Sequence, residues 1–153
     1  MSTITSITYR PADDPEPLPQ VGYRRVALTE ALLQQEQGIE NDSKARSLRN
    51  LNIMDATTLA ELAAEGFPTT PGALGENLII ADLDLRTLER GTQLRLGEHV
   101  VVKIIVPRTG CAKLHGIDAR MPDSVQGRVG VMAEVVQGGR ITVGDPVAVL
   151  APV

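Results

Sequence analysis

Apolar positions in this chain fall in short runs, most of them with a period of two. Ile4 to Tyr9 sets Ile4, Ser6 and Thr8 against Thr5, Ile7 and Tyr9, an alternation that predicts a strand. Pro11 and the stretch Pro15-Glu16-Pro17-Leu18-Pro19 end it and predict an exposed loop. A strand pattern resumes over Arg24 to Leu28. Glu30 to Gln37 is polar with weak helical spacing at Ala31, Leu32 and Leu33, and reads as a loop or a short helical turn. Leu51 to Ile53 predicts another strand. The clearest helix follows, from Ala56 to about Glu65, with Asp55 as N-cap, Leu59, Leu62 and Ala63 on one face, and Gly66 as its stop before Pro68. Beyond Phe67 the pattern predicts strands at Asn77–Ile80, Thr92–Leu96, Val100–Val106, Val129–Val136 and Thr142–Leu150. Gly97-Glu98, Gly138-Gly139 and Gly144-Asp145-Pro146 mark the turns between them.

Many short strands, tight turns and one or two packed helices predict a mainly β fold, a barrel or closed sheet, because closure removes the open edges such strands would expose. At 153 residues a chain buries roughly 70% of the surface it exposes unfolded, enough for a core without disulfide or metal staples. No composition shift or repeat divides it, so residues 1–153 read as a single domain.

Composition then removes function classes. Fifteen Lys and Arg stand against 19 Asp and Glu, a formal net charge of −4, and the aromatic residues are two Tyr, one Phe and no Trp. Such a surface neither attracts phosphate backbones nor offers stacking platforms, so nucleic acid is not an expected partner. No basic leader precedes an apolar run, and no run approaches ~18 apolar residues, so no membrane span is expected. The single cysteine, Cys111, fits a reducing compartment, and the chain is expected to be cytoplasmic.

Common catalytic signatures are missing: there is no phosphate loop with Lys, no GxGxxG after a strand, no GxSxG and no HExxH. His99 and His115 are far apart, and a zinc site would have to recruit Asp or Glu. Three constellations remain. Cys111 lies in Val106-Pro107-Arg108-Thr109-Gly110-Cys111-Ala112-Lys113-Leu114-His115, where Arg108 and Lys113 supply the positive charge that favours a reactive thiolate; the alternative is an inert buried thiol. Pro71-Gly72-Ala73-Leu74-Gly75-Glu76-Asn77-Leu78 combines two glycines with Glu76 and Asn77 at a strand entrance, either a ligand loop or a turn that caps its own backbone. Lys44, Arg46 and Arg49 form a local basic cluster that suits a small anion such as phosphate, or else a solvated loop.

Taken in order, these segments resemble the MOSC domain, named for the C-terminal part of molybdenum cofactor sulfurase. Gly38-Ile39-Glu40-Asn41-Asp42 resembles the family's Gly-Leu-Glu-Gly-Asp loop, and Arg49-Asn50-Leu51-Asn52-Ile53-Met54-Asp55 its strand leading into a helix. Pro71 to Leu78 is similar to Pro-Gly-x-x-Gly-Glu-Asn-Leu, and Leu83-Asp84-Leu85 to Gly91-Thr92 to the stretch that follows it. Pro107 to Leu114 is similar to Pro-Arg-x-Pro-Cys-x-Lys-Leu, and Gly127 to Val131 with Gly138-Gly139 and Gly144 to Val147 resemble the C-terminal hairpin.

The resemblance implies a barrel-like β fold and a molybdenum cofactor (molybdopterin). Cys111 stands at the family's reactive cysteine, as sulfur carrier or metal ligand, and Arg46, Arg49, Glu76, Asn77, Arg108 and Lys113 are the expected cofactor-binding residues. It also implies reduction of N-hydroxylated compounds or sulfur transfer, with an electron-donor or sulfur-donor protein as partner. Two departures stand out. Asn41-Asp42-Ser43-Lys44 lacks the family's second Gly and its His, and Gly110 replaces the Pro before the cysteine. They favour an alternative, a degenerate MOSC fold acting as a non-catalytic binding or interaction module. A thiol redox protein without metal is a third reading, and it would need an external resolving thiol.

Overall fold

The computed structural model describes residues 1–17, 19, 23–43, 51–108, 117–118, 120 and 128–151. In chain order these form β1 (Thr3–Tyr9), β2 (Val26–Leu28), β3 (Glu30–Gln34), β4 (Gly38–Ile39), β5 (Leu51–Asp55), α1 (Ala56–Ala64), β6 (Leu78–Ala81), β7 (Gln93–Leu96), β8 (Val100–Pro107), β9 (Val131–Gln137), β10 (Gly139–Thr142) and β11 (Val147–Val149), with a 3-10 turn at Leu85–Thr87. Eight strands make one sheet in the order β11-β7-β8-β9-β5-β6-β1-β2, and β10-β3-β4 make a second.

The large sheet curls until the approach to β11 meets the start of β1. Ile4 N–H donates to Asp145 O at 3.0 Å, Gly144 N–H to Ile4 O at 2.7 Å and Val147 N–H to Ser2 O at 2.9 Å, so the start of β1 lies against the residues that lead into β11. The expected barrel-like, mainly β architecture is therefore what the chain adopts.

Strand alternation sorts side chains between two cores. On β5, Leu51 and Ile53 face the interior of the curled sheet with Ile4, Ile7, Leu78, Ile80, Leu94, Val102 and Ile104. Met54 faces the other way, joining Ile79, Leu59, Leu62, Phe67, Leu74 and Val129 beneath α1. Each fully buried Leu or Ile contributes about 1.5–3 kcal/mol to this packing. The helix closes as its sequence predicts. Asp55 accepts from Thr58 N–H at 2.9 Å, and Phe67 N–H returns to Leu62 O and Gly66 N–H to Ala63 O, a Schellman end. Strands β5 and β6 run parallel, joined by α1 as a crossover.

Two expectations are corrected. Glu30–Gln34 is neither a loop nor a helical turn but a strand, because Ala31 and Leu33 point inward while the backbone pairs with β10 and β4. Local Leu and Ala preference yields to that pairing. Thr142–Leu150 is two strands, since the turn at Gly144–Pro146 sends β10 and β11 to different sheets.

Candidate functional site

The loop that leads into β6 is built around a close approach. Gly75 has φ +83°, and a Cβ there would stand 2.6 Å from the Tyr23 ring. Only glycine accepts both the left-handed backbone and the packed ring. The contact brings the segment before β2, with Tyr23 and Arg25, onto Glu76. Arg108 reaches the same place from the end of β8, where its N–H donates to Gly130 O at 2.9 Å. Gly130 is required in turn, since a Cβ there would stand 2.0 Å from Ile53 O.

Asn77 is a junction. Its Oδ1 accepts from Asn52 N–H at 3.0 Å, while its Nδ2 donates to Thr8 O at 3.1 Å and to Asp42 Oδ2 at 3.3 Å. Its backbone N–H donates to Asn52 O and its carbonyl accepts from Thr8 N–H. The whole side-chain amide is therefore committed, its hydrogens to β1 and the loop after β4 and its oxygen to β5. Asp42 also accepts from Arg10 N–H and borders an open polar cleft of about 880 Å³ lined with Gln34, Gln37, Glu40 and Asn41.

Glu76 is different. It is 1% exposed, its Oε1 accepts from Gly72 N–H at 2.9 Å, and its Oε2 has no hydrogen-bond partner. Burial pushes its carboxyl above the ordinary carboxylate range, against the opposing pull of the Glu76 and Gly72 backbone N–H groups and, less strongly, of Arg108 and Arg25. Arg108 is 8% exposed. Its Nη2 donates to Tyr23 Oη at 3.1 Å, the guanidinium lies 5.8 Å from that ring's centre, and Nη1 has no partner. Arg25 is half-buried, with Nε and Nη1 sealed from solvent and unpartnered. Burial pulls its guanidinium below its ordinary range, while Asp42 and Glu76 act to raise it. An arginine so placed is still a cation at neutral pH.

Two buried guanidiniums and a buried carboxylate thus stand near one another, and none of the three is directly paired with another. Desolvated charges are costly unless something completes their hydrogen bonds. Three unpartnered N–H groups from planar forks suit a carboxylate, phosphate or similar oxyanion.

Of the expected site residues, the structure gathers Glu76, Asn77 and Arg108 in one region, Asn77 as a structural junction and the other two at the unpaired cluster. Cys111, Lys113, Arg46 and Arg49 lie outside the described residues. Sequence reasoning missed Arg25 and Tyr23. The available signal was Tyr23-Arg24-Arg25, an aromatic beside two cations in a chain with three aromatics. Arg24 itself is spent on Asp14 at 2.7 Å. His99 is exposed beside Glu98. Among the described residues, no three His, Cys, Asp or Glu gather as a metal-binding group, and no helix is long and apolar enough to cross a membrane.

The MOSC domain family model matches residues 43–148. Comparison with curated protein sequences returns no match. Among solved structures, the chain is similar to YiiM from Geobacillus stearothermophilus, with 23% identity and a TM-score of 0.73 over 99% of this chain and 76% of that one. YiiM from Escherichia coli gives 24% identity and a TM-score of 0.70, over 99% of this chain and 71% of that one. The YUAD protein from Bacillus subtilis gives 17% identity and a TM-score of 0.73, over 96% and 94%. Likeness at these identities is a likeness of fold.

Proposed function

Because the chain belongs to the MOSC domain family, we propose that it is a cytoplasmic protein that binds a molybdenum–pterin cofactor and acts through the Cys111 thiol, as a sulfur carrier or as a reductase of N-hydroxylated compounds served by an electron-donor or sulfur-donor protein. The observation that carries this reading is the pair of buried guanidiniums, Arg25 and Arg108, with unpartnered N–H groups. An anionic pterin phosphate matches that donor set in charge and geometry. When bound, a molybdenum centre supplies two-electron chemistry at a metal that accepts a soft thiolate ligand.

The residues of this chain have the remaining tasks. Arg25 and Arg108 hold and orient the anionic group, with Tyr23 fixing the Arg108 fork. Cys111 follows Arg108 by three residues, so covalent reach alone keeps the two within roughly 11 Å. Lys113 adds positive charge on the Cys111 segment, and Arg46 and Arg49 on the segment before β5.

A second reading, a non-catalytic MOSC module, is favoured by one observation. Asp42, the acid kept from the family's loop, is consumed by Arg10 N–H and Asn77 Nδ2, and no His follows it in that loop.

The test is a titration with molybdenum cofactor under reducing, oxygen-free conditions, using the unmodified protein, Arg108→Met and Cys111→Ala. Saturable binding, weakened about tenfold to a hundredfold by Arg108→Met as a charged hydrogen-bond donor is lost, supports the reading. Cys111→Ala should abolish reduction or sulfur transfer. Affinity and activity indifferent to both substitutions sink it, and absent binding leaves the module.

A further inference from the structure

Resting on the reading that Arg25 and Arg108 receive an anionic group, the surroundings of Glu76 carry a further step. The described charges at the cluster are Arg25 and Arg108, which act on Glu76, together with Asp42 and the Tyr23 hydroxyl, which act on Arg25. Among the described residues these are two cations and two carboxylates. An arriving oxyanion, a dianion in the case of sulfate, would leave these charges net negative around the buried Glu76 and Arg108, where such an imbalance is costly.

The two carboxylates differ in how they are held. Asp42 accepts hydrogen bonds on both oxygens, from Arg10 N–H and from Asn77 Nδ2. Glu76 accepts from Gly72 N–H on Oε1 only, and its Oε2 is sealed and unpartnered. Oε2 is thus the atom able to take a proton without giving up a hydrogen bond. Protonation would turn a carboxylate that repels an oxyanion into a hydroxyl that donates to one.

We propose that Glu76 is the exchangeable counter-anion of this site: each oxyanion that binds between Arg25 and Arg108 brings one proton onto Glu76 Oε2, and its departure returns that proton to solvent. The raised carboxyl range of Glu76 agrees in direction with this role.

Sulfate is the probe, because its charge is constant across the working range. Calorimetric titration of the unmodified protein, in pairs of buffers with different ionisation enthalpies, reads protons taken up per anion directly. We expect uptake approaching one proton above the native range of Glu76, with affinity falling close to tenfold per pH unit. In Glu76→Gln, sulfate affinity should exceed that of the unmodified protein at high pH, lose its slope and release or absorb no protons. Sulfate binding with no proton uptake by the unmodified protein, or an equal slope in both proteins, overturns the inference and leaves the anion site standing. No sulfate binding by the unmodified protein at any pH overturns the anion reading and this inference together. Because the buffer comparison needs only the unmodified protein, the test survives if the variant does not fold.

Discussion

Glu76 and Asn77 are consecutive, and both are sealed from solvent at 1% and 0% exposure, yet their polar atoms meet burial in opposite ways. Asn77 commits its amide to three partners in three chain segments. Glu76 leaves one oxygen unpartnered and stands beside two arginines that also leave donors unpartnered. Buried polar groups in folded proteins are nearly always satisfied, so the exceptions locate where a structure holds charge for a purpose other than stability. The contrast sets, within one dipeptide, a buried side chain with every polar atom satisfied beside one that leaves an oxygen open.

The sharpest way to break that contrast is to remove each member in turn. Asn77→Leu should cost about 3–5 kcal/mol in a denaturant titration, since it strands Asn52 N–H, Thr8 O and half the support of Asp42 at about 1–3 kcal/mol apiece. Gly75→Ala should come next at about 2 kcal/mol, from its positive φ and the collision with Tyr23; because Tyr23 steadies Arg108, anion affinity should fall with it. Asp55→Ala should cost about 1 kcal/mol as a lost N-cap. Asp55 is a useful control, being a carboxylate at 2% exposure whose oxygens are both occupied by Thr58.

Glu76→Gln should change stability least, by less than about 1 kcal/mol near neutral pH, because no partner is stranded. A loss as large as that of Asn77→Leu would erase the distinction. The pH dependence sharpens it further. The native carboxyl range of Glu76 is raised above its ordinary 4.5. Its contribution is therefore fully present below that ordinary value and is lost as pH rises through the native one. Denaturant midpoints of the unmodified protein should accordingly fall across that window as pH increases, and the Glu76→Gln profile should lack this component.

Much of the fold was legible locally. The strand from Ile4 to Tyr9 and the caps of α1 follow from side-chain period and turn chemistry, but a register shift between Ile4 and Ser6 sends Ile4 and Ile7 into the same core, where strict alternation set them on opposite faces. Strand β3 was not legible, because Ala31, Leu32 and Leu33 carry helical preference and only the distant β10 overrules it. The site divides in the same way. Glu76, Asn77 and Arg108 were marked by motif, since glycines and charged residues at strand ends are visible in one dimension. That Asn77 serves as a junction depends on Thr8, Asp42 and Asn52 meeting in space, and Arg25 joins the cluster because it packs on Gly72 while Tyr23 packs on Gly75. Neither follows from spacing along the chain.

The closure of the curled sheet also orders events during synthesis. Strand β1 is made before the segments that complete it, since one side of it pairs with β6 and its start with Asp145 to Val147. Until those pairings form, the backbone around Ile4 presents an open edge of the kind that recruits other chains. With long-range pairings such as Thr3 with Pro146 closing the barrel, folding is expected to be slow for its size. A nascent chain stalled before Gly144 would carry a nearly complete sheet whose first strand still has an unguarded end, and that intermediate is the one a chaperone would have to recognise.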